Sequence, residues 1–111
     1  MQPEGKRASR LNVSLQTYVR GVDKSGVPFD ISVPSEDVSR TGLRFRVPSE
    51  VPVGAELDIV VQRPPLGGRE FPPLFTRGKV VRVVPQPDGS GYDVAVDIIG
   101  PRLRMFVKES G

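Results

Sequence analysis

Short segments of alternating apolar and polar residues, each ended by glycine or proline, constrain this chain more than any other feature. Alternation with a period of two is typical of strands that bury one face. The twelve glycines and twelve prolines lie in and between these segments without a fixed period, which favours an all-β protein with many turns. The predicted strands cover residues 11–20, 27–33, 43–47, 57–61, 76–84 and 92–98.

Six strands at this spacing predict a closed or nearly closed antiparallel β-barrel, because closure removes exposed strand edges. Residues 1–10 are polar and basic and are predicted to form a flexible arm. Residues 11–111 are predicted to form one domain, since 111 residues suffice for a single modest core. Pro101 follows the sixth strand and permits a short C-terminal helix over residues 102–108.

The composition excludes several classes of function. The chain has no histidine and no cysteine, so it cannot build a Ser-His-Asp triad, a Cys-His pair or an ordinary zinc site. We therefore expect no enzymatic activity, no metal and no cofactor. The net charge of +3 favours an anionic partner but does not by itself indicate a nucleic-acid polymer. No run approaches the roughly 20 apolar residues of a membrane span, so we expect a cytoplasmic protein without membrane insertion.

A basic cluster near the N-terminus contains Lys6, Arg7 and Arg10. The planar guanidinium of arginine bonds phosphate oxygens through two donors and also stacks on a base. Terminal basic residues are also common in arms that only contact solvent. Taken alone, the cluster fits either a phosphate site or a solvated arm.

The sequence Asp37-Val38-Ser39-Arg40-Thr41-Gly42 lies between the second and third predicted strands. The carboxylate of Asp37 can accept hydrogen bonds from N1 and N2 of guanine, and Ser39 can donate or accept beside it. Gly42 allows a left-handed backbone or a close approach of ligand to chain. The same pattern also suits a turn in which Asp and Ser side chains bond only to nearby backbone.

Two further groups are assigned structural roles from the pattern. Alternation places Arg44 and Arg46 on the solvent face of the third strand, which favours surface arginines over ligand contacts. A proline-rich loop precedes the fifth strand, and Phe71, Leu74 and Phe75 are expected to hold this loop against the body of the domain.

The order of these features resembles the PilZ domain, a bacterial receptor for cyclic di-GMP. The resemblance covers residues 6–98 and includes the basic arm, a hairpin, the Asp-x-Ser-x-x-Gly turn and a last hairpin that begins Gly91-Tyr92. It implies a PilZ-type barrel whose arm folds over and grips cyclic di-GMP against the turn. The implied ligand-binding residues are Lys6, Arg7, Arg10, Asp37, Ser39 and Gly42.

The chain departs from the family pattern in the last hairpin, with Ala95 and Ile98 where the family tends toward glycine and phenylalanine, and in the arm. The arm of family members carries Arg-x-x-x-Arg, and here Arg10 matches the second arginine while Lys6 stands at the first and Arg7 is one residue out of register. Lysine supplies charge without the planar fork. The loss of one such contact corresponds to about 1–3 kcal/mol.

The resemblance implies a receptor or adaptor that changes its surface on binding cyclic di-GMP and relays the signal to a protein partner. A second reading is a PilZ-like interaction module that binds a protein without nucleotide, and Lys6 favours it. A third is an oligonucleotide-binding barrel, which the modest charge and the aromatic content of 6% disfavour.

Overall fold

The computed structural model describes residues 15–103, which form a closed barrel of six antiparallel strands. The strands are β1 (Leu15–Val22), β2 (Pro28–Glu36), β3 (Gly42–Val47), β4 (Glu56–Val61), β5 (Leu74–Pro85) and β6 (Tyr92–Ile98). Their order around the barrel is β1-β2-β3-β6-β5-β4. The predicted all-β barrel is therefore confirmed. Among the described residues, no helix has the length and apolar character needed to cross a membrane.

The predicted alternation defines the inner face of the barrel. In β3, for example, Leu43, Phe45 and Val47 are buried while Arg46 between them is exposed. The inward side chains of all six strands meet in one hydrophobic core, to which the turn residue Val38 and the C-terminal Leu103 also contribute. Large and branched side chains fill the interior of a barrel of this size. The fully buried members are Phe45, Leu57, Ile59, Leu103, Val19, Val38, Val51, Val61, Val80 and Val94.

The ladders around the barrel differ in length. β3 pairs with β6 along its whole length, from Gly42 opposite Asp97 to Val47 opposite Tyr92. β2 and β3, by contrast, pair only at Ser35 with Phe45 and at Glu36 with Arg44. The two strands therefore diverge soon after the turn that joins them.

Arg63 contacts the proline-rich loop in two ways. This arginine is buried, its Nε donates a hydrogen bond to the carbonyl oxygen of Pro72 at 2.9 Å, and its guanidinium lies 5.0 Å from the centre of the Phe71 ring. Leu74 packs against the core, as expected. The expectation for Phe75 was wrong, because this side chain is 66% exposed on the outer face of β5.

The two ends of the chain lie largely beyond the described residues. The predicted arm over residues 1–10 falls outside them, as do residues 104–108 of the predicted C-terminal helix. Residues 102 and 103 are described and are not helical, and Leu103 is fully buried.

The turn before β6 provides a test of how closely the strands approach one another. Gly91 has a φ of 129°, and a Cβ added there would lie 2.4 Å from the backbone oxygen of Val47. Gly89 in the same turn has a φ of 78° with nothing within 4 Å of such a Cβ.

We expect Gly89→Ala to lower the free energy of unfolding by about 1–2 kcal/mol through backbone strain alone. Gly91→Ala should cost at least about 1 kcal/mol more, because a backbone carbonyl cannot move aside as a flexible side chain can. Urea denaturation of both variants measures the difference. Equal losses would contradict this account of the turn.

Candidate functional site

The turn between β2 and β3 is closed by its own hydrogen bonds. The backbone N–H of Ser39 donates to the carbonyl oxygen of Gly42 at 2.9 Å, and the Ser39 hydroxyl donates to the same oxygen at 3.3 Å. The hydroxyl oxygen also accepts from the backbone N–H of Thr41 at 3.3 Å. Val38 is fully buried and anchors the turn in the core. Ser39 therefore shapes the turn itself, as serine does in turns where its hydroxyl bonds to nearby backbone.

The end of β6 and the segment after it support the same turn from outside. The backbone N–H of Ile98 at the end of β6 donates to the carbonyl oxygen of Thr41 at 2.8 Å, and that of Leu103 donates to the carbonyl oxygen of Arg40 at 3.2 Å. Three parts of the chain, namely β2, β3 and the stretch from Ile98 to Leu103, therefore fix the turn in place.

Asp37 and Gly42 have different backbone requirements from those expected. Asp37 has a φ of 53°, the one positive φ at a non-glycine residue in the described part of the chain. Aspartate tolerates this left-handed conformation better than most residues. Gly42 is not left-handed; a Cβ there would instead lie 2.9 Å from the backbone oxygen of Val96. The close approach at Gly42 is thus that of β6, and the left-handed residue is Asp37.

Arg44 on β3 lies between three carboxylates. Its Nη1 is 3.0 Å from Oδ2 of Asp37, its Nη2 is 3.1 Å from Oε1 of Glu36, and its Nε is 3.5 Å from Oδ1 of Asp93. The hydrogen bond to Glu36 is the largest cause that raises the pKa of Arg44 above its ordinary value. The charges of Asp93 and Asp37 act in the same direction, while partial burial opposes them. We call these four residues the Arg44 cluster.

The alternation predicts the faces of the β3 arginines, and the Arg44 cluster adds a role for one of them. Arg46 is exposed, as the alternation indicates. Arg44 also lies on the outer face of β3, as the alternation indicates, but its side chain is only 34% exposed because it serves as the common partner of the cluster, a role that the sequence did not predict. Because Nη1 of Arg44 is bonded to the Asp37 carboxylate, the side chain at the start of the motif has a defined orientation.

A groove of about 290 Å³ adjoins the Arg44 cluster where β2 and β3 diverge. Two members of the cluster, Glu36 and Asp93, line the groove as well, and the exposed Arg46 lies beside them. Carboxylates of this kind accept hydrogen bonds from planar amide and amine donors, and an exposed arginine binds phosphate. The full lining is Val33, Pro34, Glu36, Phe45, Arg46 and Asp93.

The structure brings together half of the predicted site residues. Asp37, Ser39 and Gly42 share one turn, whereas Lys6, Arg7 and Arg10 lie outside the described residues. Sequence reasoning missed Glu36 and Asp93. The signal for Glu36 was its position opposite Arg44 across the turn, with opposite charge. Asp93 becomes a neighbour of Arg44 only through the pairing of β3 with β6, which no local pattern indicates.

The Arg44 cluster should contribute more to stability than an ordinary surface ion pair. Removing the charge with Arg44→Met leaves three carboxylates close together, so we expect a loss of about 1–2 kcal/mol in the free energy of unfolding. Lys24→Met is the matched control, because Lys24 forms one exposed ion pair with Glu50 at 3.3 Å. It should cost no more than about 0.5 kcal/mol.

Urea denaturation measures both effects. A deficit of Arg44→Met no larger than that of Lys24→Met would contradict the assigned role of the cluster.

Comparison with known proteins places this chain in a family. The family model of the PilZ domain matches residues 5–107. A comparison with curated proteins gives no significant match. The solved structure of Bacillus subtilis Inhibitor of motility (MotI/DgrA) is similar, with a TM-score of 0.67 and 14% sequence identity, over 84% of this chain and 42% of that chain. This chain thus matches less than half of that protein, and at such low identity the likeness concerns the fold. With most of its length matched by the family model, the chain belongs to the PilZ domain family, a family of cyclic di-GMP receptors.

Proposed function

We propose that this domain binds cyclic di-GMP at the turn between β2 and β3 and relays the nucleotide signal to a protein partner. The observation that carries the proposal is the complete Asp37-x-Ser39-x-x-Gly42 motif in a PilZ domain, folded into one turn that three parts of the chain support. A preformed turn binds its ligand without the entropic cost of ordering its own backbone.

Asp37 is assigned to the base edge of guanine. Its side chain is 30% exposed, and the ion pair with Arg44 at 3.0 Å orients the carboxylate at the surface. A carboxylate accepts from both N1 and N2 of guanine, and hydrogen bonds to charged groups contribute about 1.5–3 kcal/mol each. Arg44 is thus a positioning residue for Asp37 in this scheme.

The phosphates are assigned to the basic residues. Arg10 supplies the bidentate phosphate contact expected of the family arm, with Lys6 and Arg7 adding positive charge. Arg46 is exposed in the groove beside the Arg44 cluster and suits a phosphate or the face of a base. Ser39 and Gly42 act through the shape of the turn.

The relay follows from ordering of the arm. When Arg10 binds nucleotide, the arm acquires a fixed position over the barrel and presents a new surface to a protein partner in the bacterial cytoplasm. Binding energy for the ligand is thereby converted into a change of surface, and the domain acts as an adaptor without catalysing a reaction.

Titration calorimetry with cyclic di-GMP tests the proposal. We expect binding in the micromolar range or tighter, weakened at least about tenfold by Arg10→Ala and by Asp37→Ala because each removes a charged contact. Arg69→Ala and Glu70→Ala, on the exposed part of the proline-rich loop, are the matched controls and should leave the affinity unchanged. No heat of binding up to about 1 mM nucleotide would overturn the proposal.

A second prediction concerns the departure from the family pattern at Lys6. Lys6→Arg should tighten binding by about tenfold, since arginine restores the planar fork at this position. The same titration measures the change. The control is Lys24→Arg, in the turn that joins β1 and β2. An unchanged or weaker affinity in Lys6→Arg would contradict a phosphate contact at position 6.

The alternative function is a PilZ-like protein-interaction module that does not bind nucleotide. Two observations favour it: lysine stands in place of the first arm arginine, and the Asp37 carboxylate is already paired with Arg44. On this alternative, calorimetry detects no cyclic di-GMP binding, and Lys6→Arg has no effect. The two functions are therefore separated by the same titration.

A further inference from the structure

An apolar row crosses the outer face of β1, β4 and β5, on the side of the barrel away from the turn. Tyr18 pairs with Val60, and Val60 pairs with Phe75, so the three side chains are direct neighbours in register. Tyr18 is 43% exposed and Phe75 is 66% exposed. Cross-strand pairs of this kind usually lie against a core, and an exposed aromatic row is typical of an interaction surface.

A row of charges of alternating sign runs beside the apolar row, two residues away from it on each strand. Across β2, β1, β4 and β5 its members are Asp30, Arg20, Asp58 and Arg77, each paired in register with the next. All four side chains are more than half exposed. Arg20 lies 3.5 Å from Asp30, and Arg77 lies 3.6 Å from Asp58. The signs along the row are minus, plus, minus, plus.

The two rows border one shallow groove of about 310 Å³. Tyr18, Val60 and Phe75 form its apolar side, while Arg20 and Asp58 form part of its charged side. Apolar side chains of a partner can therefore pack in the groove while its polar groups contact the charged edge. An apolar core with a polar rim is the usual composition of a protein interface.

We propose that this face is the interface of a homodimer, in which a second copy of the chain packs face to face about a twofold axis. The axis runs parallel to the strands, between β1 and β4. It places Arg20 opposite Asp58 of the second copy and Asp58 opposite Arg20, so that the two charges nearest the axis meet their opposites. The same operation places Tyr18 over Val60 of the second copy, with Phe75 at the edge of the apolar contact.

The charge order selects this partner and this axis. The neighbouring charges of opposite sign on β1 and β4, Arg20 and Asp58, become their own complement when their order is reversed, which is the requirement for an isologous interface. A twofold axis along the row instead of along the strands would place Arg20 on Arg20 and Asp58 on Asp58, and like charges would repel. An unrelated partner would need its own row of matched charges, whereas a second copy necessarily carries one.

The dimer face does not overlap the candidate nucleotide site. In the strand order β1-β2-β3-β6-β5-β4, β4 is three strands from β3 in either direction. The turn and the Arg44 cluster lie at β2, β3 and β6, whereas the apolar row and the two charges nearest the axis, Arg20 and Asp58, lie on β1, β4 and β5. Self-association can thus be measured without nucleotide, and its outcome does not depend on the proposed function.

Sedimentation equilibrium of the full chain over a range of concentrations is the first test. We expect a monomer–dimer equilibrium in the micromolar range, weakened at least about tenfold by Phe75→Ser. Val84→Ser is the matched control, because Val84 is 43% exposed further along the same strand and should leave the equilibrium unchanged. A wild-type chain that stays monomeric up to about 1 mM overturns the proposal and leaves the face to a different protein.

A charge exchange tests the geometry itself. Arg20→Asp alone places two acids opposite each other, and Asp58→Arg alone places two arginines opposite each other, so each variant should dimerise at least about tenfold more weakly. An equimolar mixture should restore the dimer, since Asp at position 20 of one copy then faces Arg at position 58 of the other. Arg69→Asp, with the same change of charge in an exposed loop, should dimerise as the wild type does.

Thermal melts of each variant verify that the barrel is folded before its dimerisation is scored. Restored dimerisation in the mixture supports the proposed axis, because only copies related in this way exchange partners between positions 20 and 58. A mixture that dimerises no better than either variant alone overturns it.

Discussion

Closure of the barrel through the ladders of β1 with β4 and β3 with β6 is the constraint on which the rest of the structure depends. Closure commits one face of every strand to the core, and side chains such as Phe45, Leu57 and Ile59 fill that interior. Within residues 15–103 the interior is thus occupied by side chains, and the outer face and the ends of the strands are what a ligand or partner can contact. The turn with its groove and the apolar row are both surfaces of this kind.

The shortest ladder is also where the turn motif lies. β2 and β3 share only two pairs, so the groove opens beside them, and the ion pairs of Arg44 connect Glu36 and Asp37 with Asp93 on β6. The cluster thus supplies cross-strand contacts where backbone pairing is sparse. One arginine both supports the barrel at this seam and orients the carboxylate that the family motif provides.

Local pattern predicts the strands of this chain well, because alternation in each segment reports directly which side chains are buried. It also placed Asp37, Ser39 and Gly42 in one turn. What it could not supply was the register between strands distant in sequence. The ion pair of Arg44 with Asp93 was not predicted, because only the pairing of β3 with β6 brings this carboxylate close. The prediction for Phe75 was wrong for a different reason: its hydrophobicity indicated burial, but its position in β5 places the side chain on the outer face.

The outward orientation of Phe75 follows from the closed barrel. In a closed barrel each residue faces either the core or the outside, and an aromatic such as Phe75 on the outer face gains nothing from the core. On its face, Phe75 continues a row with Val60 and Tyr18, beside charges of alternating sign. Because the candidate nucleotide site lies across the barrel, a second copy on this face leaves the turn and its groove open. The closed barrel thereby separates two surfaces that one chain of this size can use at once.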